Sequence, residues 1–143
     1  MNNAITITEL IGKEQILAQL HLVQQLTAGI TRSKYSEMLD TMLANGYRQV
    51  GAFENGQCIG ISGFWINTKI YSDKYVELDN VIIDEKHRSK KVGKLLCDWI
   101  INEAKQKGCK IAMLDAYVEN KDAHRFYFRE GYIIRGFHFL KSI

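Results

Sequence analysis

The spacing of apolar residues changes several times along this chain, and each change marks an expected element. Residues 4–9 alternate, with Ile5 and Ile7 between polar neighbours, which predicts a first strand. Residues 13–26 place Ile16, Leu17, Leu20 and Val23 at helical spacing. A second helix is expected from Ser33, a residue able to cap it. Its apolar stripe is Tyr35, Met38, Leu39 and Met42, and Asn45-Gly46 is its stop. Residues 49–54 and 57–67 flank Asn55-Gly56, the strongest short-range signal for a hairpin. A further strand is predicted over 76–83. Beyond Val92, the residues Leu95, Leu96, Trp99 and Ile100 share one helical face, which ends near Lys107-Gly108. Residues 109–118 read as a strand, 122–130 as a short helix closed by Gly131, and 137–141 as a last strand. The resulting order, β-α-α-β-β-β-α-β-α-β, predicts one mixed sheet with helices on its faces.

Composition narrows the class. With 143 residues, 46% of them hydrophobic and 24% charged, the expectation is a single domain over 1–143 with a real core. No apolar run approaches the ~20 residues that would span a bilayer, so no membrane role is expected. The start, Met1-Asn2-Asn3-Ala4, lacks the charged and apolar pattern of a leader, and Cys58, Cys97 and Cys109 show no paired spacing. Together these suggest reduced structural thiols in a cytoplasmic protein. The net charge of +3 suits an anionic ligand without demanding nucleic acid.

The charge is concentrated where chemistry is easiest to place. The stretch 87–94, His-Arg-Ser-Lys-Lys-Val-Gly-Lys, follows the apolar run Val81-Ile82-Ile83 and opens a helix. A helix start carries unpaired N–H groups and roughly half a positive charge. Arg88, Lys90, Lys91 and Lys94 add to the attraction, so a polyphosphate fits this corner. A nucleic-acid module could also use such a run, but this one lacks interleaved aromatics and sits at a tight turn. His21, His87, His124 and His138 show no metal-ligand spacing, and no metal is expected.

These residues resemble the GNAT acetyltransferase superfamily, whose pyrophosphate loop reads Arg/Gln-x-x-Gly-x-Gly/Ala. The corresponding run is Arg88-Ser89-Lys90-Lys91-Val92-Gly93, with Lys91 in place of the first glycine. Glycine there lets the backbone approach phosphate, so Lys91 must point outward. A second stretch, Asn120-Lys121-Asp122-Ala123-His124-Arg125-Phe126-Tyr127 followed by Gly131-Tyr132, is similar to the family's Asn-x-x-Ala-x-x-Phe-Tyr and its later Gly-Phe. The same helix is also similar to that of aminoalkylphosphonate N-acetyltransferases. The fold class implied is α/β (α+β): a single mixed, mostly antiparallel sheet of six to seven strands flanked by four helices, GNAT-like. The co-substrate implied is acetyl-CoA. Val81, Ile82 and Ile83 would pair through their backbone with its pantetheine arm. Arg88, Ser89, Lys90, Lys91, Val92, Gly93 and Lys94 would hold its phosphates. Asn120 either caps its helix or contacts the pantetheine, and Tyr127 would stand beside the thiol.

Acetyl transfer to an amine needs a neutral nucleophile, a stabilised oxyanion and a proton for the departing thiolate. An alkyl ammonium of pKa about 10.4 is neutral in only ~1 molecule in 2,500 at pH 7, so a positioned base is worth having. Glu77 and Asp79 project from one face of a strand, two residues apart. By resemblance Glu77 occupies the base position, directly or through water, with Asp79 as the second candidate; a solvated polar strand face is the plainer alternative. Tyr127 is the expected general acid, its phenol near a thiol in pKa, against the alternative of a core tyrosine beside Phe126 and Phe128. Arg125 reads as solvent-facing. The expected reaction is direct attack by a small-molecule primary amine in a ternary complex. The alternatives are a protein or peptide acceptor (N-terminus or lysine) and a non-catalytic acetyl-CoA-binding domain. The resemblance also allows a homodimer.

Overall fold

The computed structural model describes residues 4–88 and 90–143. The chain forms β1 (Thr6–Leu10), α1 (Lys13–Leu17), α2 (Leu20–Leu26), α3 (Arg32–Ala44), β2 (Arg48–Glu54), β3 (Gln57–Lys69), β4 (Asp73–Ile83), a 3-10 turn (Glu85–His87), α4 (Val92–Gln106), β5 (Ile111–Leu114) and α5 (Lys121–Arg129). The strands make one sheet in the order β1-β2-β3-β4-β5. The first three pairings are antiparallel and β4–β5 is parallel. The β2–β3 hairpin turns at Asn55 (φ 53) and Gly56 (φ 75), two left-handed residues that match the twist of the strands they join.

Two apolar layers sandwich the sheet. On one face α4 lays Val92, Leu96, Cys97 and Ile100 over Val50, Ile59, Phe64 and Leu78, with Phe126 of α5 packed alongside. On the other, α1, α2 and α3 bring Ile16, Leu17, Leu22 and Leu39 against Leu10, Tyr47, Ile61 and Ile82.

The predicted helix over 13–26 is two helices. Gln19 N–H bonds Ile16 C=O at 3.1 Å and Leu22 N–H bonds Gln19 C=O at 3.0 Å. These tighter three-residue closures re-aim the chain, and Ile16, Leu17 and Leu22 all reach the core. Helix α3 is capped by Thr31, whose hydroxyl oxygen accepts from Lys34 N–H at 3.1 Å, rather than by Ser33. Among the described residues the flanking helices thus number five where four were expected.

Among the described residues the sheet has five strands rather than six or seven, because no strand forms over 137–141. A strand exists only through its ladder, and β5 pairs only with β4. The last residues stay beside β5 through a side-chain contact, His138 Nδ1 to Asp115 Oδ2 at 3.0 Å.

One irregularity positions the site. In the β3–β4 ladder, Ile61 faces Ile82 but Gly63 faces Asp79, so β4 carries one extra residue. Asn80, with φ 55, supplies the left-handed conformation there. The bulge flips the parity of β4. Leu78 and then Val81 and Ile83 face α4, whereas Ile82 faces α1–α3.

Candidate active site

The site lies where β4 outruns β5. Their ladder joins only Tyr75–Leu78 to Ile111–Leu114. From Asp79 to Ile83, β4 remains paired to β3 on one side while its other edge has no strand beside it. Backbone donors and acceptors on such an edge are ready to pair with an extended amide-bearing arm. Val81, Ile82 and Ile83 occupy this edge.

The phosphate corner follows directly. After the 3-10 turn, Lys91 takes up a left-handed conformation (φ 60, ψ 23) as the residue before α4. A glycine would adopt it freely; a lysine does so at a cost of about 1 kcal/mol or more. Lys91 is exposed. The first bond within α4 is Leu95 N–H to Lys91 C=O at 3.2 Å, which leaves the N–H groups of Val92, Gly93 and Lys94 ahead of the helical ladder. Gly93 sits against Phe126 of α5, and a Cβ added to it would meet that ring at an ordinary 3.6 Å. The two sequence stretches are therefore in contact in space. Ser89 lies outside the described residues.

The basic side chains are less free than their number suggests. Lys90 Nζ stands 3.2 Å from Glu54 Oε1. Lys94 Nζ lies between Asp98 (3.2 Å) and Glu130 (3.3 Å), and those two carboxylates push its pKa up. Main-chain N–H groups therefore carry more of the anion-binding capacity of this corner than its lysines do. That set of donors, and the open edge beside it, fits the pyrophosphate and pantetheine of acetyl-CoA.

Glu77 and Asp79 both project towards the α1–α3 side. Glu77 lies between Trp65 of β3 and Met113 of β5 in register. Its carboxyl is pushed above the ordinary value of 4.5, chiefly by burial and then by the charge of Asp115. A raised carboxyl is a better base. Asp79 is less available, because its Oδ2 accepts from the Trp65 indole N–H at 3.0 Å.

Tyr127 is half-buried on α5, edge-on to Phe126 (5.2 Å between centroids) and to Tyr132 (5.6 Å). Burial raises its hydroxyl pKa well above 10.0, with Cys97 and Tyr132 adding to the effect. Tyr127 therefore stays protonated throughout the neutral range. It also becomes a more reluctant acid than a free phenol, which tilts the expected balance against proton release. Asn120 caps α5, its Oδ1 accepting from Ala123 N–H at 3.1 Å. Arg125 faces solvent, paired with Asp122 at 2.8 Å.

The pattern of residues did not point to a polar–aromatic cluster next to Asp79. Gln49, only 1% exposed, donates to the Tyr47 hydroxyl at 3.0 Å and more loosely to Tyr35 at 3.4 Å. Tyr47 stacks at a tilt on Trp65, 5.1 Å between centroids. A side chain at Gly63 would collide with the Tyr47 hydroxyl, so that strand position requires glycine. The available signal was Tyr47, Gln49 and Trp65 sharing the parity of one face, a face that only pairing identifies. A cavity of about 170 Å³ between the end of α4 and β5, near Ala104, Lys105 and Cys109, opens at the far end of the β4–β5 ladder. It holds none of the candidate catalytic residues.

Comparison with known proteins shows the family and the fold. The chain is 30% identical over 93 residues to an aminoalkylphosphonate N-acetyltransferase of Salmonella typhimurium, a stretch covering 64% of this chain and 60% of that protein. It is 23% identical over 141 residues to the uncharacterized N-acetyltransferase YhdJ of Bacillus subtilis, covering 97% of this chain and 99% of the relative. Among solved structures, aminoglycoside N-acetyltransferase AAC(6')-Iy in complex with CoA superimposes with a TM-score of 0.84 at 19% identity, covering 100% of this chain and 98% of that one. The profile of the acetyltransferase (GNAT) family matches residues 17–132. With that match over most of its length, the chain belongs to the acetyltransferase (GNAT) family, whose members draw on acetyl-CoA.

Proposed function

We propose that residues 1–143 act as one N-acetyltransferase domain that moves the acetyl group of acetyl-CoA to a primary amine of a small molecule, by direct attack within a ternary complex. The observation that carries this reading is the open edge of β4 beyond Leu78, bordered at one end by the start of α4 and on the α1–α3 side by Glu77 and Asp79. The N–H groups of Val92, Gly93 and Lys94 hold the pyrophosphate, assisted by Arg88, with Lys90 and Lys91 adding charge from outside. The backbone of Val81–Ile83 pairs with the pantetheine arm and stabilises the negative charge that develops on the acetyl oxygen. A backbone donor in that role is worth about 2.7–4 kcal/mol.

Glu77 takes the proton that the attacking amine must lose, directly or through a water. Its raised pKa makes it a stronger base than a solvated carboxylate. Asp79, tied to Trp65, holds the cationic acceptor before it is deprotonated. As the new C–N bond forms and the C–S bond breaks, Tyr127 gives its hydroxyl proton to the departing sulfur. One acetyl group passes from sulfur to nitrogen, and of the two protons the ammonium loses, one leaves through Glu77 to solvent while the other, released as the tetrahedral adduct collapses, replaces the proton that Tyr127 gave to the sulfur.

The resemblance of α5 and the match to the Salmonella protein make aminoalkylphosphonates the first acceptors to try. The test is thiol release from acetyl-CoA across a panel of small amines, aminoalkylphosphonates included, beside peptides with free N-termini and lysines. Turnover confined to small amines is expected. Turnover confined to peptides would move the acceptor to the protein class, and acetyl-CoA binding without thiol release from any amine would leave only a binding domain.

A further inference from the structure

The α1–α3 face of the sheet carries a rigid mount that acetyl transfer itself does not call for. Gln49 is only 1% exposed. Its Nε2 is committed to the hydroxyls of Tyr47 and Tyr35, and its Oε1 has no hydrogen-bond partner among the described residues. An amide buried in this way is less favourable than an apolar side chain of similar size, so its presence asks for a reason. What it secures is Tyr47. That hydroxyl accepts from Gln49 at 3.0 Å and lies over Gly63, while the ring rests against Trp65 with 5.1 Å between centroids.

Trp65 is held a second time, because its indole N–H donates to Asp79 Oδ2 at 3.0 Å. A stacked neighbour and a directional hydrogen bond together fix the orientation of the ring. Tyr47 is buried, yet Trp65 is only half-buried, so part of an oriented indole is left open. In register Trp65 stands opposite Glu77 and Gly63 opposite Asp79, which puts the ring and both carboxylates on one face. Asp115 acts on the same carboxyl of Glu77, offset in part by Lys69 and His138. A carboxylate pair alone attracts any cation. An indole beside it adds a preference for a cation with an apolar stem, which its π face holds more readily than a fully hydrated ion.

We propose that Trp65 is the specificity-determining residue for the acceptor: its open indole surface receives the alkylammonium end of the amine in a cation–π contact, flanked by Asp79 and Glu77, with Tyr47 and Gln49 as positioning residues that hold the ring. The inference rests on the proposed acceptor site beside Glu77 and Asp79 and adds the basis of selection. Organic ammonium ions enter ahead of neutral molecules of the same shape.

The test titrates n-butylammonium and its uncharged counterpart n-butanol into the full chain by NMR, without acetyl-CoA, so that no transfer occurs. The chain has two tryptophans, and their indole N–H signals report location. The Trp65 signal should move with n-butylammonium, while that of Trp99, packed on the α4 side, stays still. Trp65→Leu keeps an apolar surface and should weaken n-butylammonium about 5-fold with n-butanol nearly unchanged. Trp65→Phe keeps a ring without the N–H and should fall between, and thermal melts verify that each variant is folded. Tyr47→Phe should weaken n-butylammonium about 2-fold and leave n-butanol as it was; no change would overturn the positioning role. A Trp65 signal that stays still, or equal losses of both probes in Trp65→Leu, would overturn the proposal. Asp79→Asn separates the two readings. Loss of n-butylammonium affinity there, with none in Trp65→Leu, would sink the Trp65 role and keep Asp79 as the holder of the cation; the reverse pattern would keep Trp65 and remove Asp79.

Discussion

This sheet has two unfinished edges, and they differ in everything except their lack of a ladder. The inner one, Asp79–Ile83 of β4, is short. The amides at the start of α4 lie at its end, and two carboxylates lie on the α1–α3 side. The outer one, along β5, is fringed by Tyr117, Val118 and a tail of exposed aromatic and aliphatic residues. The same unsatisfied backbone groups therefore invite different partners. Polar donors at the first suit the amide-bearing ligand proposed for it, whereas the second is bordered by apolar side chains. An open edge takes its meaning from its borders.

Four substitutions, one of them with a control, bear on the inner edge. Glu77→Gln removes the proposed base and should lower kcat/KM for the acceptor by about 100-fold at neutral pH. In the proposed reaction the active form of Glu77 is the carboxylate. The rate should therefore rise with pH and level off above the Glu77 pKa, which burial has moved above 4.5. This acid limb should vanish in the variant, and an unchanged profile would remove Glu77 from the reaction.

Gly93→Asp sets a carboxylate beside the proposed pyrophosphate, and acetyl-CoA affinity measured by calorimetry should fall roughly 30-fold, about 2 kcal/mol. Space is not the obstacle, since a Cβ there meets only the Phe126 ring at 3.6 Å. Gly93→Ala is the matching control, and equal losses in the two would show that packing rather than charge was measured.

Tyr127→Phe should reduce turnover about 10-fold with acetyl-CoA affinity nearly intact, read by steady-state kinetics under conditions where chemistry limits the rate. Its raised pKa argues for the lower end of the usual range for acid catalysis. The smallest effect is expected from Lys91→Gly. Relief of the left-handed lysine is offset in part by the added freedom of the unfolded chain, leaving a gain of about 0.5 kcal/mol, or about 2 °C in Tm. A loss of stability would mean that the Lys91 side chain has a favourable contact outweighing the strain at φ 60.

Much of the molecule was legible without coordinates. Asn55-Gly56 announced the hairpin because only left-handed residues match the twist of the strands it joins. The stripe Leu95, Leu96, Trp99, Ile100 announced α4, and the runs around Arg88–Gly93 and Asn120–Tyr127 announced the family. The bulge at Asn80 was not legible. An isolated asparagine in an apolar strand does not say which partner residue it will skip, yet that skip sets the face on which Ile82, Val81 and Ile83 lie. Nor could residue counting reveal that Lys90 and Lys94 would be engaged by Glu54 and Glu130, 36 residues away in each case.

Local stereochemistry is written in the order of residues. Turn propensity and helical spacing act over a few positions, and the sequence alone therefore determined most of the elements and the family. Ladder partners are chosen over long separations, by closing loops and burying area. Tertiary structure alone decided that β4 would extend past β5 to open the inner edge, that Trp65 would hold Asp79, and that residues 137–141 would form no ladder within their own chain.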